Sequence, residues 1–373
     1  MRVMFACGGT GGHINPAVSV AKFLKERRPE SEIYFIGAPE GLETRLVPKE
    51  GFELKLVNIS SFRRKVDPVS VIKNIGTVFK IYGSLRQAGE LINEFKPDVV
   101  MGTGGYASFP VVYKAAKMKI PTIIHESNAF PGLATKMLAG KADRILVSFE
   151  ESAKYYKRSG AVRVTGTPVR EGFVFNRKEE SKRELGLEGK LVLVSFMGSL
   201  GAREMNKKIA EFIAIESKNS EFIHIHSAGS YGYRWMPQMV ADMGVELEAH
   251  PDIDLKEYIY DMPKVLAAAD LAICRGGAST LSELAAAAKP AIIIPSPNVA
   301  ENHQEKNARV LEARGAAVVV KESEVTGKSL YDLTREIIND RSRLESMEKN
   351  LKNMAILNAT ERIYETILEL SRG

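Results

Sequence analysis

The residues of this chain best suited to chemistry stand where apolar segments end. The segment MRVMFAC leads directly into residues 8–12, GGTGG, and His13 follows at once. Glycine permits positive φ and a close approach of the backbone to another group, and amide N–H groups at a helix start carry partial positive charge. Such a turn can hold an anion, and a neighbouring histidine can take a proton from a hydroxyl group. The alternative is a tight turn in which His13 caps the helix or packs.

Two further glycine turns follow apolar segments, in MGTGGYASFP (101–110) and in ICRGGASTLSELAAA (273–287). In the second, residues 278–280 would begin a helix whose amides can hold a diphosphate. Glu283, one turn later, can accept hydrogen bonds from a ribose diol. The alternative is a capping box formed by Thr280 and Glu283. The recurrence of such loops at the ends of strands favours ligand binding, because parallel sheets bind ligands there.

Four more polar residues are candidates for a sugar-nucleotide site. Glu126 follows an apolar segment and is a second candidate base, and Asn128 can bond a sugar hydroxyl. Arg170 can reach a phosphate, and Gln304 stands at the start of a predicted helix. No cluster of carboxylates at metal-ligand spacing stands out, so we expect backbone amides and arginine to neutralise a diphosphate without an obligatory metal.

Short apolar strands alternate with amphipathic segments along the whole chain, which predicts an α/β fold with parallel sheets and helices on both faces. Each half begins with a strand, a glycine turn and a helix, so we expect two Rossmann-like domains facing a cleft. The predicted domains are 1–165 and 166–356, and a C-terminal helix at 357–373 can pack back on the first. The predicted strands are RVMFAC, EIYFIG, DVVMGTGG, PTIIHE, RILVSF, KLVLVSFMG, FIHIHSAG, DLAICRGG, PAIIIPSP and AAVVVKE.

The composition is that of an ordinary globular protein, with 45% hydrophobic and 26% charged residues among 373. No apolar segment reaches the length of a membrane span, and two distant cysteines argue against a disulfide scaffold. Residues 1–160 contain 24 Lys and Arg against 15 Asp and Glu, whereas the net charge of the whole chain is +6. The basic excess therefore belongs to the first half. No nucleic-acid-binding motif accompanies it, so an anionic membrane surface or an acidic substrate is the favoured partner.

Residues 62–88 combine an apolar stripe with basic neighbours, which is typical of a peripheral membrane contact. The stripe contains Ile75, Phe79, Tyr82 and Leu85 at helical spacing. The alternative is a helix that packs its apolar face on the sheet.

Taken in order, the motifs resemble those of the MurG family of glycosyltransferases: GGTGGHINP, GTGGYASFP, HESNAFPG, GTPVR, GSLGA, CRGGASTLSE and ENHQEKNA. The resemblance covers nearly the whole chain and implies the two-domain GT-B fold. It implies transfer of N-acetylglucosamine (GlcNAc) from UDP-GlcNAc to lipid I, giving lipid II, at the cytoplasmic face of the bacterial membrane. Lipid I is undecaprenyl-pyrophosphoryl-N-acetylmuramyl (MurNAc) pentapeptide. An anionic membrane surface and cell-wall or division proteins are the implied partners, with no cofactor.

The resemblance also implies roles for single residues. Arg170 and Ser199 lie near the diphosphate, the Ile259 backbone contacts uracil, Glu283 binds ribose, and Gln304 binds the GlcNAc hydroxyls. The remaining implied donor contacts are Thr10, Gly11, Gly12, Asn128, Ala278, Ser279 and Thr280. The chain departs from the family at Met197 and Leu200, where relatives often have glycine and glutamine, and at His303, where many have glutamine.

The chemistry implied is a single displacement with inversion at C1, with His13 or Glu126 as the base. Other readings remain open: another GT-B enzyme that glycosylates a lipid or natural product, a UDP-GlcNAc 2-epimerase, or a nucleotide-binding scaffold without catalysis. Oligomeric state is not predicted.

Overall fold

The computed structural model describes residues 1–59, 68–219 and 221–372, without the side chains of residues 68–80 and Ser159. The chain divides into two compact units. The first comprises Met1–Val169 together with Ile356–Gly373, and the second comprises Arg170–Ala355. The chain thus first passes from one unit to the other between Val169 and Arg170, four residues after the predicted end of the first domain.

In the described part of the first unit, seven parallel strands form one sheet in the order β3-β2-β1-β4-β5-β6-β7. The order reverses between β1 and β4, and the loops that leave these two strands lie at the switch point where open parallel sheets bind ligands. The strands are β1 (Arg2–Cys7), β2 (Glu32–Gly37), β3 (Glu53–Leu56), β4 (Val99–Gly104), β5 (Thr122–Glu126), β6 (Arg144–Val147) and β7 (Val162–Val164).

Helices cover both faces of this sheet. Val3 and Phe5 of β1 contribute to one apolar cluster, and Met4, between them, contributes to the opposite one, because successive strand residues point to opposite faces. The helices of this unit are α1 (Gly11–Arg27), α2 (Glu43–Lys49), α3 (Pro68–Phe95), α4 (Ser108–Lys117), α5 (Leu133–Leu138) and the C-terminal α16 (Ala359–Ser371).

The C-terminal helix α16 packs on the first unit. Ile363 and Ile367 are completely buried in the cluster that α1 also lines, and the rings of Phe23 and Tyr364 meet edge to face at 5.4 Å. Amphipathic spacing in the sequence predicts the helix and its buried face, and the tertiary structure selects the partner.

In the described part of the second unit, six parallel strands form a sheet in the order β10-β9-β8-β11-β12-β13. The order reverses between β8 and β11, so the loops that leave these strands lie at this unit's switch point. The strands are β8 (Val192–Phe196), β9 (Ile223–Ser227), β10 (Ile253–Lys256), β11 (Leu271–Cys274), β12 (Ala291–Ile293) and β13 (Val318–Val319).

The helices of the second unit also pack on both sheet faces. Leu193 and Ile273 belong to one apolar cluster, while Val192 and Val194 belong to another. The helices are α6 (Gly172–Phe175), α7 (Lys178–Glu184), α8 (Arg203–Glu216), α9 (Gly229–Gly232), α10 (Met236–Asp242), α11 (Met262–Ala268), α12 (Ala278–Ala286), α13 (His303–Ala313), α14 (Gly327–Ile338) and α15 (Arg341–Met354).

The prediction of two Rossmann-like units with parallel sheets is confirmed. Three strands were not predicted: β3, β7 and β10. Each lies at the edge of its sheet, where a strand has one neighbour and needs fewer apolar residues. Their sequences, ELKL, VRV and IDLK, accordingly lack the continuous apolar character on which the prediction rests.

Candidate functional site

The glycine turn between β1 and α1 is held by a buried carboxylate. Gly9 has a φ of +87°, and its amide N–H donates a hydrogen bond of 2.9 Å to Glu43 Oε2. Glu43 Oε1 accepts a second hydrogen bond, 2.8 Å long, from the amide of Ala38. One amide of the predicted anion-binding turn is thus already bonded within the protein. The amides of Gly11 and Gly12 have no partner among the described residues.

His13 lies in the first turn of α1 and is fixed from two sides by Thr103 of β4. The Thr103 hydroxyl donates a hydrogen bond of 2.7 Å to the His13 carbonyl, and His13 Nδ1 lies 3.1 Å from the Thr103 carbonyl oxygen. Because a carbonyl oxygen only accepts, Nδ1 carries a proton, and in the neutral imidazole Nε2 then has the lone pair that a general base needs. A Cβ atom at Gly104 would overlap the imidazole, so the turn after β4 also fits closely around the ring.

Glu126, the second candidate base, is engaged in shaping the loop that follows β5. Its side chain is almost completely buried. Glu126 Oε1 accepts hydrogen bonds from the backbone and side-chain amides of Asn128, at 3.0 and 2.8 Å, and Oε2 accepts one of 2.9 Å from the Gly132 amide. Both carboxylate oxygens are therefore occupied. The adjacent His125 is also buried, and burial lowers its pKa.

In the second unit, α12 begins without a side-chain cap. Gly277 is its N-cap residue, so the alternative of a capping box formed by Thr280 and Glu283 is wrong. The amides of residues 278–280 have no hydrogen-bond partner in the described chain. The hydroxyl oxygen of Ser279 is buried there and also lacks a partner among the described residues. Unsatisfied donors at a helix start are suited to binding an anion.

Glu283 and Arg170 come together beside this helix start. Arg170 Nη2 lies 3.8 Å from Glu283 Oε1, and the two side chains are 55% and 23% exposed. Burial raises the pKa of Glu283 to about 7, although the positive charge of Arg170 opposes the shift. The guanidinium also lies 4.9 Å from the centre of the Phe173 ring. The cation predicted to bind phosphate and the carboxylate predicted to bind ribose are therefore neighbours in one unit.

Gln304 lies in the first turn of α13, next to the turn after β11. Its Oε1 accepts a hydrogen bond of 2.8 Å from the Ser296 amide, which orients the side-chain NH₂ group as a donor. A Cβ atom at Gly276 would overlap the Gln304 carbonyl, so a glycine is required where these segments meet. His303 is turned to the backbone, with Nδ1 at 2.8 Å from the Ala300 carbonyl.

Two residues without glycine's freedom adopt left-handed backbone conformations just before α13. Glu301 and Asn302 both have a φ of +52°. Such conformations cost free energy, and they cluster where a loop is held in one shape for binding. The loop from β12 to α13, which precedes Gln304, is therefore fixed at some cost in stability.

Ser199 lies in the turn after β8, which together with the turn after β11 forms the switch point of the second unit. Ser199 and Leu200 are exposed, whereas Met197 is 4% exposed and belongs to the apolar core. The Gly201 amide donates a hydrogen bond of 3.0 Å to the Gly198 carbonyl, closing the turn. The departure at Met197 therefore fills the core, and the one at Leu200 changes the surface of the loop.

Ile259 contributes its side chain to the core and leaves its backbone open. The side chain is 3% exposed, and in the described residues neither the amide nor the carbonyl of Ile259 is hydrogen-bonded. A donor and an acceptor on one residue can pair with a pyrimidine edge. Tyr258 and Tyr260 flank it with exposed rings.

Both halves of the chain match domains of one enzyme family. The N-terminal domain of glycosyltransferase family 28 matches residues 3–147, and its C-terminal domain matches residues 192–363. This chain belongs to glycosyltransferase family 28.

Relatives and solved structures agree with this family. A protein of Acetivibrio thermocellus is 42% identical over 100% of this chain and 99% of its own length. Another, of Caldanaerobacter subterraneus, is 41% identical over 98% and 99%. Both are called UDP-N-acetylglucosamine–N-acetylmuramyl-(pentapeptide) pyrophosphoryl-undecaprenol N-acetylglucosamine transferase. The crystal structure of Acinetobacter baumannii MurG matches 99% of each chain, with a TM-score of 0.77 and 26% identity. The GT-B architecture predicted from the motifs is confirmed.

The shared fold extends beyond family 28. UDP-GlcNAc 2-epimerase from Neisseria meningitidis, solved with UDP-GlcNAc bound, matches 99% of this chain and 100% of its own with a TM-score of 0.65. Its identity is 16%, so this likeness concerns the fold alone.

The predicted membrane stripe of this family 28 chain lies partly outside the described residues. The side chains of Ile75 and Phe79 are not described. Tyr82 is 78% exposed, and Leu85 is half-buried. No helix among the described residues combines the length and the apolar character needed to cross a bilayer.

Sequence reasoning missed two residues that shape the first glycine turn, Glu43 and Thr103. Gly37 and Gly41 leave room for the Glu43 side chain, but this role is visible only in the structure, where neither glycine has a positive φ. Thr103 had no signal in the sequence either, because a threonine inside a strand is ordinary. Among the described residues, no group of three His, Cys, Asp or Glu is placed to hold a metal ion.

Proposed function

We propose that this chain transfers GlcNAc from UDP-GlcNAc to the C4 hydroxyl of undecaprenyl-pyrophosphoryl-MurNAc-pentapeptide, which converts lipid I to lipid II in peptidoglycan synthesis. The observation that carries the proposal is the uncapped start of α12 beside the Arg170–Glu283 pair. It occurs in a chain that matches, over its full length, relatives called by the name of this transferase.

The second unit binds the donor. The open amides of residues 278–280 and the guanidinium of Arg170 bind the diphosphate, with Ser199 contributing from the loop after β8. Glu283 accepts hydrogen bonds from the ribose hydroxyls, and the Ile259 backbone pairs with uracil. Gln304 donates to the GlcNAc hydroxyls. Thr10, Gly11, Gly12 and Asn128 complete the proposed donor contacts from the first unit.

His13 is the base. Its proton on Nδ1 is held by the Thr103 carbonyl, which supports Nε2 as the acceptor of the C4 hydroxyl proton. The freed oxygen forms its bond to C1 as the bond from C1 to the diphosphate breaks, and UDP leaves with the electron pair. One displacement inverts the configuration at C1. Glu126 is the weaker candidate, because both of its oxygens already accept hydrogen bonds.

The leaving diphosphate gains negative charge in the transition state. Helix-start amides that already point at this position stabilise the charge without reorganising, and Arg170 adds a full positive charge. We propose that these groups suffice and that no metal ion is obligatory.

Radiolabelled UDP-GlcNAc tests the proposal against its alternatives. With a short-chain lipid I analogue, we expect labelled disaccharide product and stoichiometric UDP. Conversion to UDP-ManNAc without acceptor would instead identify an epimerase. Transfer to diacylglycerol or a natural-product aglycone, but not to the analogue, would identify a different glycosyltransferase. Binding of the donor without any turnover would leave only a nucleotide-binding scaffold.

We also propose that the first unit binds the cytoplasmic face of the bacterial membrane peripherally, where its acceptor resides and where cell-wall synthesis or division proteins can meet it. The exposed ring of Tyr82 within a basic segment supports an anionic surface as the partner. Sedimentation with phosphatidylglycerol vesicles should exceed that with phosphatidylcholine vesicles. It should weaken in 0.5 M salt, because the Debye length is then only roughly 4 Å and the charges are screened. Tyr82→Ser should weaken it, unlike Tyr260→Ser, and equal binding to both lipids would refute the proposal.

A further inference from the structure

Three glycines surround the carboxylate of Glu43 for a reason other than turn geometry. Gly8, Gly37 and Gly41 all lack the positive φ that would require glycine. A Cβ atom at any of them would overlap the Glu43 side chain. These positions, one after β1 and two at and after the end of β2, therefore leave room for one buried acidic side chain.

The carboxylate of Glu43 joins two loops. It lies at the start of α2 and is 0% exposed, so its charge requires hydrogen bonds to remain buried. Those bonds come from the Gly9 amide, in the turn after β1, and from the Ala38 amide, in the loop after β2. Hydrogen bonds to a charged acceptor are about twice as strong as neutral ones, so the two loops are held firmly to each other.

The turn that Glu43 holds leads directly into His13. Thr10 follows Gly9 and is the N-cap residue of α1, without a side-chain cap of its own. The His13 amide donates a hydrogen bond of 3.0 Å to the Thr10 carbonyl. A displacement at Gly9 is therefore carried through one residue to the first turn of α1, where the imidazole is attached.

We propose that Glu43 is a positioning residue that fixes the first glycine turn and thereby sets the place of the His13 imidazole. The proposal rests on the proposed function in so far as His13 acts as the base. Glu43 does not touch the substrates. Its removal should therefore lower kcat, while the affinity for UDP stays within twofold, because the proposed diphosphate and nucleoside ligands of UDP belong to the second unit.

Glu43→Gln tests the charge, since an amide must turn its NH₂ group towards one of the two N–H donors and lose that bond. We expect kcat to fall about 10- to 100-fold, the scale on which small misplacements of a catalytic group act. Gly41→Ala keeps the charge but pushes the carboxylate aside, and it should lower kcat in the same direction. Glu40→Gln, an exposed acid on the same loop, is the matched control and should match the wild type.

Histidine NMR reads the same geometry without turnover. The chain has six histidines, and His13→Gln assigns the His13 signal. Glu43→Gln and Gly41→Ala should shift the His13 resonances, whereas those of His224 and His226, buried in the second unit, should stay in place. The NMR comparison can be made at low temperature, so it remains possible for a variant that is too unstable for the transfer assay.

Unchanged His13 resonances in Glu43→Gln, or a kcat within twofold of Glu40→Gln, would overturn the assignment. So would a fall in kcat accompanied by an equal fall in UDP affinity, which indicates general unfolding. An absence of transfer by the wild-type protein refutes the proposed function instead, and the NMR comparison then decides the role of Glu43 alone.

Discussion

Two of the strand-to-helix turns at the switch points, those after β1 and β11, use glycine for different purposes. In the turn after β1, the Gly9 amide is bonded to the buried carboxylate of Glu43, and Thr103 fixes His13 by two hydrogen bonds. In the turn after β11, the first amides of α12 have no partner in the described residues, and Arg170 stands beside Glu283.

The difference shows that a glycine-rich turn does not by itself define an anion site. A negative charge held behind the first turn opposes the attraction of its amides for another anion. In the described residues the second turn has no carboxylate bonded to its amides, and its nearby acid, Glu283, has Arg170 beside it. The first is suited to presenting a side chain, and the second to holding a diphosphate.

Replacing the imidazole is expected to have the largest effect. His13→Ala should lower kcat by about 100-fold or more, the usual scale for a positioned base, and leave UDP affinity unchanged. Initial rates with the lipid I analogue and calorimetry with UDP check both halves of this expectation. A rate close to that of the wild type would remove His13 from its role and direct attention to Glu126→Gln.

The second turn is tested through the titration of Glu283. Since burial raises its pKa to about 7, the carboxyl is mostly protonated at pH 6 and mostly ionised at pH 8. The ionised form accepts more hydrogen bonds from ribose, so UDP-GlcNAc affinity should rise up to about tenfold over this interval. Calorimetry across pH should show the rise in the wild type and a flat, weaker profile in Glu283→Gln. A flat wild-type profile would contradict this.

A smaller effect is expected from the hydroxyl that holds the His13 backbone. Thr103→Val keeps the carbonyl that sets the tautomer but removes the hydrogen bond to the His13 carbonyl. The loss of one hydrogen bond is worth about 1 kcal/mol, so kcat should fall about fivefold with KM for UDP-GlcNAc unchanged. If KM rises and kcat does not, Thr103 supports donor binding and the contrast between the turns is weaker than described.

The smallest effect on the transfer rate is expected from chelating divalent metal ions. If amides and Arg170 neutralise the leaving diphosphate, then EDTA should change the transfer rate by less than about twofold, because no cation has to be supplied. Arg170→Ala in the same assay is the informative contrast and should lower the rate substantially. Abolition of transfer by EDTA, restored by added Mg²⁺, would show that the second turn depends on a cation.

Most of the fold was predictable from local pattern. Apolar strands such as RVMFAC and KLVLVSFMG are buried on both faces, so their composition alone predicts them. The edge strands ELKL, VRV and IDLK do not, because a strand with one neighbour is under weaker apolar constraint. The motif residues of the site lie in loops at strand ends, which the alternation of strands and helices located.

The sequence by itself determined the two parallel α/β units, the glycine turns and the family, because each depends on residues close together in the chain. Only the tertiary structure decided that Glu43 occupies the Gly9 amide, that Thr103 sets the His13 tautomer, and that α16 packs on the first unit. These facts join residues 34, 90 and several hundred positions apart. A buried charge or a shared proton has energetic meaning only once folding has removed water and chosen the neighbours.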